Sequence, residues 1–330
     1  MTPPAPIGVT MGDPAGIGPE IISKAWTALH ETGPAFLVVG DPSCFPHGHP
    51  IAAPEDAQAV FPTALPVLPQ GKALPGPVTM GQPRSGNAAA IGSAIEDAVT
   101  HALAGRISAV VTAPIAKSVM YEAGFNFPGH TEYLAELTSA VPVKGPRGPL
   151  MMLSGGGLRV VLTSIHVSLQ EAVEAINAER ICHVARLTHQ ALQSDFGIAR
   201  PRLALAGLNP HAGEDGALGR EEIEIINPAA QALRAAGIAI TDAMPPDTLF
   251  HAEARAGYDA AICHYHDQGL IPVKTLDFHG GVNTTLGLPV VRTSPDHGTA
   301  FDIAGTGRAR PDSLIAALRQ AQEIAGNRAS

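Results

Sequence analysis

A mixed α/β fold with buried strands is what this sequence predicts, and three observations predict it. Apolar residues make up 45% of the 330-residue chain while aromatics make up only 4%. The core must therefore be built of Ala, Val, Leu and Ile, a composition suited to helices packed on buried strands. Short apolar runs recur, at residues 35–40 (AFLVVG), 107–114 (ISAVVTAP), 158–166 (LRVVLTSIH), 201–211 (PRLALAGLNPH) and 258–267 (YDAAICHYHD). Gly-rich turns and segments of helical period lie between them, the alternation that builds βαβ units.

Each element follows in order. Ile7 to Met11 reads as the first strand, GDPAGIGPE as a turn, Glu20 to His30 as a helix and residues 35–40 as the second strand. From Asp41 to Gly86 the chain is rich in Pro and Gly and carries little periodicity, which predicts loops and short strands rather than a linker. Helical period returns from Asn87 to Ala104, and long helices are expected over 168–195 and 220–236. The chain shows no internal repeat and no low-complexity tract, and its length favours two domains.

Charge narrows the partners. Lys plus Arg number 21 against 30 Asp plus Glu, a net charge of −9, so no basic field draws the chain to nucleic acid or to an anionic membrane. Any anionic ligand has to be held by local groups. Cys44, Cys182 and Cys263 are odd in number and lack C-x-x-C spacing, which argues against a disulfide framework and a zinc knuckle and fits a reducing cytoplasm. No stretch approaches the roughly 18 apolar residues of a membrane span, and no basic segment precedes an apolar run near the N-terminus. A soluble, cytoplasmic protein is the expectation.

HYHDQGLIPVK, beginning at His264, places two histidines one residue apart before Asp267, Gln268, Gly269 and Lys274. On a strand alternate side chains share a face, so His264 and His266 would point the same way. Three of the expected strands end in a histidine: His166 closes LTSIH, His211 follows GLNP and His266 closes ICHYH. Ligands of open α/β sheets gather at the carboxyl ends of strands. A three-histidine set with open positions is what a catalytic divalent metal needs. Strand-end histidines also serve as hydrogen-bonding posts. His30, His47, His49, His101, His183 and His189 have no matching partners and read as surface or core filler.

For anions, FPGHTEYLAELTSA puts Thr131 just before an apolar-periodic run from Tyr133, so unpaired N–H groups of a helix start lie beside Gly129 and His130. A plain N-cap is the alternative. Lys274, Asn283 and Arg292 punctuate PVKTLDFHGGVNTTLGLPVVRTS, with glycines that expose backbone to a close ligand. Arg292, beside a buried-looking LPVV, needs an anion, either a ligand or a structural carboxylate. Gly12, Gly16 and Gly18 follow a strand and open a helix but miss G-x-G-x-x-G spacing.

GDPAGIGPE, PGHTEYLAELT, LNPHAGEDGALGREE, PPDTLF, YHDQGLIPVK, GVNTTLGLP and RTSPDHGTAFDIAG, in this order and across nearly the whole chain, closely resemble the 4-hydroxythreonine-4-phosphate dehydrogenase (PdxA) family of pyridoxal phosphate biosynthesis. The resemblance implies a two-domain α/β/α fold similar to isocitrate and isopropylmalate dehydrogenases, with the substrate cleft between domains. It implies a cofactor-side domain of residues 1–125 plus 280–330 and a metal, substrate and dimerisation domain of 126–279. DHGTAFDIAG looks like the family's late cofactor loop, with Asp296, His297, Gly298, Thr299, Ala300 and Asp302 as its contacts. Metal ligands are implied at His166, His211 and His266, and substrate contacts at His130, Thr131, Lys274, Asn283 and Arg292. His264 has no role in the pattern. The family works as a homodimer whose active sites draw metal ligands from both chains.

The implied reaction is oxidation of 4-phosphohydroxy-L-threonine by NAD or NADP, with one divalent ion (Zn, Mg or Co). The resulting 3-oxo acid loses carbon dioxide to give 3-amino-2-oxopropyl phosphate. Lys274 is a proton carrier or electrostatic partner, and Asp267 or Asp247 a proton relay. Related families share these motifs while acting on threonate or erythronate 4-phosphate, or on dihydrodiol carboxylates. A metal-dependent phosphatase or phosphosugar-binding protein would use the same histidines and anion contacts without the loop at 296–305.

Overall fold

The computed structural model describes residues 4–330, and the chain divides into two compact units: Met1–Pro142 with Leu288–Ala329, and Val143–Gly287 with Ser330. The first half of the strands are β1 (Ile7–Thr10), β2 (Phe36–Val39), β3 (Gly48–Pro50), β4 (Leu65–Leu68), β5 (Val110–Thr112) and β6 (Leu150–Gly155). The remainder are β7 (Leu158–Leu162), β8 (Arg202–Ala206), β9 (Ala239–Met244), β10 (Ala260–Cys263), β11 (Val282–Leu286) and β12 (Arg292–Pro295).

In the first unit β3, β4, β2, β1, β5 and β12 lie side by side, every pairing parallel. Parallel strands have both faces covered, so they read as unbroken apolar runs; all residues of β1, β2, β4, β5 and β12 are buried. Helices Ala88–Leu103 and Asp312–Ala329 pack on this sheet. Phe36, Ile21, Ile22 and Leu29 are fully buried, each worth about 1.5–3 kcal/mol in area removed from water. Helix Gly18–Leu29 starts earlier than its apolar period suggests, because Pro19 in its first turn presets helical φ and surrenders no N–H that a helix would use. β1 pairs with β2 on one side and β5 on the other, the strand-order reversal at which α/β sheets open a crevice.

In the second unit the neighbours run β11, β6, β7, β10, β8, β9. β6 is antiparallel to both β11 and β7, and β7, β10, β8 and β9 are parallel. Leu153, Val160, Leu162, Ala261, Leu270 and Val273 belong to one buried cluster. A Cβ on Gly269 would come 2.8 Å from Leu162 Cδ2, so this glycine lets helix His266–Leu276 settle directly on β7.

Several elements are shorter than the apolar patterns indicate. The strands expected over 158–166, 201–211 and 258–267 stop at Leu162, Ala206 and Cys263. His264 and His266 are therefore not alternate residues of one strand, and His266 opens helix His266–Leu276. The helix expected over 168–195 is two, Leu169–Glu174 and Ala178–Ser194. Ser168 and Glu171 form a capping box on the first, and the Asn177 side chain accepts from Arg180 N to start the second. The segment 41–86 holds the short strands β3 and β4 among loops, as its composition indicates.

Candidate active site

An anion-ready corner forms within the first unit. Helix His130–Leu137 begins at His130, one residue before Thr131, with Gly129 at its cap position and no side-chain cap. Thr131 is thus inside the first turn rather than an N-cap. The first backbone N–H groups of such a turn have no intrahelical partner. The approach is stiffened by aromatic packing: the Phe125 and Tyr133 rings lie 4.7 Å apart edge to face, and Phe127 lies 5.0 Å from Tyr133. Tyr133 Oη also donates to the Glu96 carboxylate.

His130 Nε2 is buried without a hydrogen-bond partner. Burial, together with the positive charges of Arg292 and Lys117, pushes the His130 pKa down to about 3. The ring is therefore neutral at physiological pH. Arg292 is 3% exposed, its Nη2 donates to Thr112 Oγ1 at 2.7 Å, and burial lowers its pKa to about 10 against the opposing carboxylate of Glu132. A guanidinium stays charged at that value. Lys117 opens the short helix that follows β5, and its Cε stands 3.7 Å from where a Gly129 Cβ would be. Two cations, the buried Arg292 and the exposed Lys117, thus converge with a neutral imidazole and a helix start on one spot, where burial strengthens the charge of Arg292. Lys117 and Glu132 escaped the sequence reading, although the position of Lys117 just past the strand VVT was available.

The carboxyl ends of β1, β5 and β12 bring three loops together. Asp13 N donates to Pro114 O at 2.8 Å, and Ile17 N donates to Thr299 O at 3.0 Å. A Cβ on Gly12 would lie 2.6 Å from Pro114 O and one on Gly16 2.9 Å from Thr299 O. These glycines are used for loop packing, which accounts for their failure to follow the dinucleotide spacing. The loop after β12 runs irregularly from Asp296 and becomes a series of turns from Phe301 to Gly307. Asp296 N donates to Ser313 Oγ at 3.0 Å, the Thr299 carbonyl meets Ile17, and Ala300 adopts a φ of 41°. His297, Gly298 and Asp302 are exposed on it.

The histidines lie in the second unit. His166 and His266 face each other, ring centroids 5.6 Å apart. His266 Nδ1 is 2.7 Å from the Asp267 carboxylate, and His211 Nδ1 is 2.9 Å from that of Glu214. In the neutral ring a carboxylate at Nδ1 favours the proton there, leaving Nε2 as the donor atom for a metal; the Glu214 carboxylate also raises the His211 pKa. His211 has a side chain 63% exposed, and among the described residues no three His, Cys, Asp or Glu side chains assemble around one point. One chain therefore pairs His166 with His266 and leaves His211 apart. These histidines fit a divalent metal in residue type, with His211 outside the His166–His266 pair.

Concave surfaces adjoin these histidines. One of about 330 Å³ is lined by His266, Asp267, Leu270, Lys274 and Phe278 among others. A neighbouring one of about 460 Å³ is lined by Asp247, Phe250, Tyr265, Asp267 and Gln268 among others. Lys274 Nζ lies 5.9 Å from the centre of the Phe278 ring. Asn283, in β11, has a buried Oδ1 with no hydrogen-bond partner. Of the five substrate contacts expected from the sequence, His130, Thr131 and Arg292 belong to the first unit and Lys274 and Asn283 to the second.

His211 is carried on an unusual backbone. From His211 to Asp215 every residue has positive φ, between 41° and 85°, a left-handed turn that costs non-glycine residues about 1–2 kcal/mol each. Glu222, 2% exposed, sits under it. Its Oε1 accepts from Leu208 N and Asn209 N, both at 2.8 Å, and its Oε2 accepts from Asn209 Nδ2 at 2.9 Å. Neither the turn nor Glu222 was legible as part of the site in sequence.

The fold and these groups define the class: an α/β dehydrogenase-type protein with an anion corner in one unit and metal-ready histidines in the other. The sequence profile of the family described as "Pyridoxal phosphate biosynthetic protein PdxA" matches residues 36–321, and the chain belongs to that family. It is 63% identical over 342 residues to the 4-hydroxythreonine-4-phosphate dehydrogenase of Maricaulis maris, covering 100% of both chains. It is also similar to the crystal structure of 4-hydroxythreonine-4-phosphate dehydrogenase from Klebsiella pneumoniae, with a TM-score of 0.83 and 38% identity, covering 97% of this chain and 99% of that one. A likeness in fold alone extends to isocitrate dehydrogenase from Methylococcus capsulatus, at a TM-score of 0.51 and 14% identity over 98% of this chain and 86% of that one. The family is one of dehydrogenases, and membership implies a nicotinamide cofactor and a metal. No helix of the described residues is long and apolar enough to cross a membrane.

Proposed function

We propose that the chain oxidises 4-phosphohydroxy-L-threonine at its secondary alcohol with NAD or NADP, and that the 3-oxo acid formed loses carbon dioxide to leave 3-amino-2-oxopropyl phosphate, a step of pyridoxal phosphate synthesis in the cytoplasm. The observation that carries this reading is the neutral His130, its Nε2 buried and unpartnered beside the cations Arg292 and Lys117 at a helix start. The full-length relative named for this activity supports it.

Arg292, His130 and the Thr131 turn bind the phosphate, and Lys274 and Asn283 are further substrate contacts. His166, His211 and His266 hold the divalent ion, and Asp296, His297, Gly298, Thr299, Ala300 and Asp302 line the cofactor loop. A divalent cation, when bound, supplies positive charge to the oxygen of the reacting alcohol, and the nicotinamide supplies the hydride acceptor. Lys274, on one concave surface with His266 and Asp267, carries the alcohol proton away and returns one to the carbon that loses carbon dioxide. Asp267 orients His266 and, with Asp247, relays protons from Lys274 toward water.

The exposed His211, set apart from the pair it should join, supports a homodimer in which a partner subunit completes each metal site. The ion is zinc, magnesium or cobalt. The test is NAD reduction, with added divalent metal, on 4-phosphohydroxy-threonine, threonate 4-phosphate and an unphosphorylated dihydrodiol carboxylate. Preference for the amino acid phosphate is the expected outcome. Preference for threonate 4-phosphate would reassign the substrate. Phosphate release without nicotinamide reduction would replace the reading with a phosphatase.

A further inference from the structure

The metal site contains a residue that no ligand set includes. We propose that Glu222 is a positioning residue for His211: its carboxylate locks the left-handed turn that presents this histidine, an inference that rests on reading His211 as a metal ligand.

The backbone poses the question. Four of the five residues from His211 to Asp215 carry a Cβ, yet all five hold left-handed angles, a conformation that persists only where surrounding contacts over-determine it. Short-range bonds close the segment Pro210–Gly216 as a 3-10 turn, with Ala212 N donating to Asn209 O at 3.1 Å, Ala217 N to Glu214 O at 3.0 Å and Leu218 N to Gly213 O at 3.1 Å. The turn packs beside the helical segment Glu222–Ile226 that continues into helix Asn227–Ala235, and His211 itself is exposed.

Glu222 supplies what is missing. The two backbone N–H groups immediately before the turn, of Leu208 and Asn209, both end on Oε1. Oε2 takes Asn209 Nδ2, and a Cβ on Gly213, in the middle of the turn, would sit 2.8 Å from that same oxygen. One carboxylate therefore meets both the entry and the centre of the turn, which explains a glycine at 213 and an acidic group at 222. A buried carboxylate fits such a place because it accepts several N–H groups at once, and those bonds hold the Glu222 pKa below the usual carboxylate range against its burial. The chain just before the entry is tied down as well: the Gly207 carbonyl accepts from Gln268 Nε2 at 2.7 Å. With β8 anchored there, the remaining freedom of His211 lies in the turn that Glu222 controls.

A residue acting through a ligand should weaken metal binding only while that ligand is present. The experiment measures zinc affinity of the metal-stripped full-length chain by competition with a chromophoric chelator, for Glu222→Ala, Glu222→Gln, His211→Ala and the double variant, alongside the thermal midpoint of each. Glu222→Ala is expected to weaken zinc about 10- to 100-fold, the range for groups that orient a metal ligand. Glu222→Gln, which keeps one oxygen for Leu208 and Asn209, should recover most of that loss. In the His211→Ala background Glu222→Ala should add nothing. Wild-type zinc affinity in Glu222→Ala, or a loss that persists in the absence of His211, would overturn the role of Glu222. Wild-type affinity in His211→Ala would instead overturn the metal reading beneath it. Should Glu222→Ala fail to fold, Glu222→Gln takes its place: its smaller zinc loss, expected from the weakened grip on Leu208 and Asn209, should vanish in the His211→Ala background. No loss at all in Glu222→Gln, or a loss that persists in the absence of His211, would overturn the role.

Discussion

The Nε2–H of His264 donates to the carbonyl of Ala206 at 2.8 Å, joining the end of β10 to the end of β8. His264 is fully buried, its backbone N donates to Gln268 Oε1 and its carbonyl accepts from Ser164 Oγ, each at 2.7 Å. It is a post between strands, two residues away from the ligand candidate His266. His264→Ala should therefore leave zinc content at wild type while lowering stability by about 1–3 kcal/mol, the range for a buried partner removed. His166→Ala, His211→Ala and His266→Ala should lose zinc and activity together. Elemental analysis beside urea unfolding checks both; zinc loss in His264→Ala with retention in His266→Ala would reverse the assignment.

Assembly is tested by mixing. Chains carrying His211→Ala and chains carrying His266→Ala, each inactive, should regain part of the activity after subunit exchange, because one site of a hybrid dimer would hold an intact set. Exchange shown by mass without recovered turnover would place both ligands in one chain.

At the anion corner, Lys117→Met should lower kcat/KM for the phosphorylated substrate at least tenfold and leave the thermal midpoint nearly unchanged, since Lys117 is exposed. Removing the phosphate from the substrate should cost about 2–5 kcal/mol, as for other buried charges left unpaired. That is roughly thirtyfold to several thousandfold in rate. Steady-state kinetics on substrate pairs reads both, and equal rates with and without phosphate would remove the anion argument.

Acid should act through His130. Its folded pKa, about 3, lies below its ordinary value of 6.5, so the unfolded chain binds the proton more readily than the folded one. Its stabilising contribution is whole above about pH 6.5 and drains away as pH falls toward 3. Burial disfavours the protonated ring first, and the positive charges of Arg292 and Lys117 repel the proton further. In urea titrations His130→Asn should flatten the decline between these pH values relative to wild type; an unchanged slope would contradict a neutral His130.

Much of the fold was legible because parallel strands announce themselves. Val38, Val110, Val161 and Leu205 sit in short apolar runs that need no alternation when both faces are covered. Strand ends were not legible, since apolar residues such as Ile165 continue past the last ladder bond, and that error put His264 and His266 on one face. Arg292, His130 and the histidines at loop starts could be picked out as chemically unusual residue types in predictable places. Lys117 and Glu222 could not, because a lysine after a strand and a glutamate in a helical run are ordinary until distance shows what they meet. Helix Asp312–Ala329 went unread for a similar reason: its small residues and charges blur the apolar period.

Gly12, Gly16 and Gly18 have a practical consequence for anyone wishing to alter cofactor preference. A side chain at any of the three would strike main-chain oxygen, at Pro114, Thr299 or Met11, within 2.6 to 2.9 Å. Redesign by dinucleotide-fold rules, which would begin by editing this glycine turn and the acidic residue after the second strand, is barred by collision before it reaches any nucleotide. On the loop proposed for the cofactor, His297, Gly298 and Asp302 are exposed, so new side chains there meet water instead of backbone.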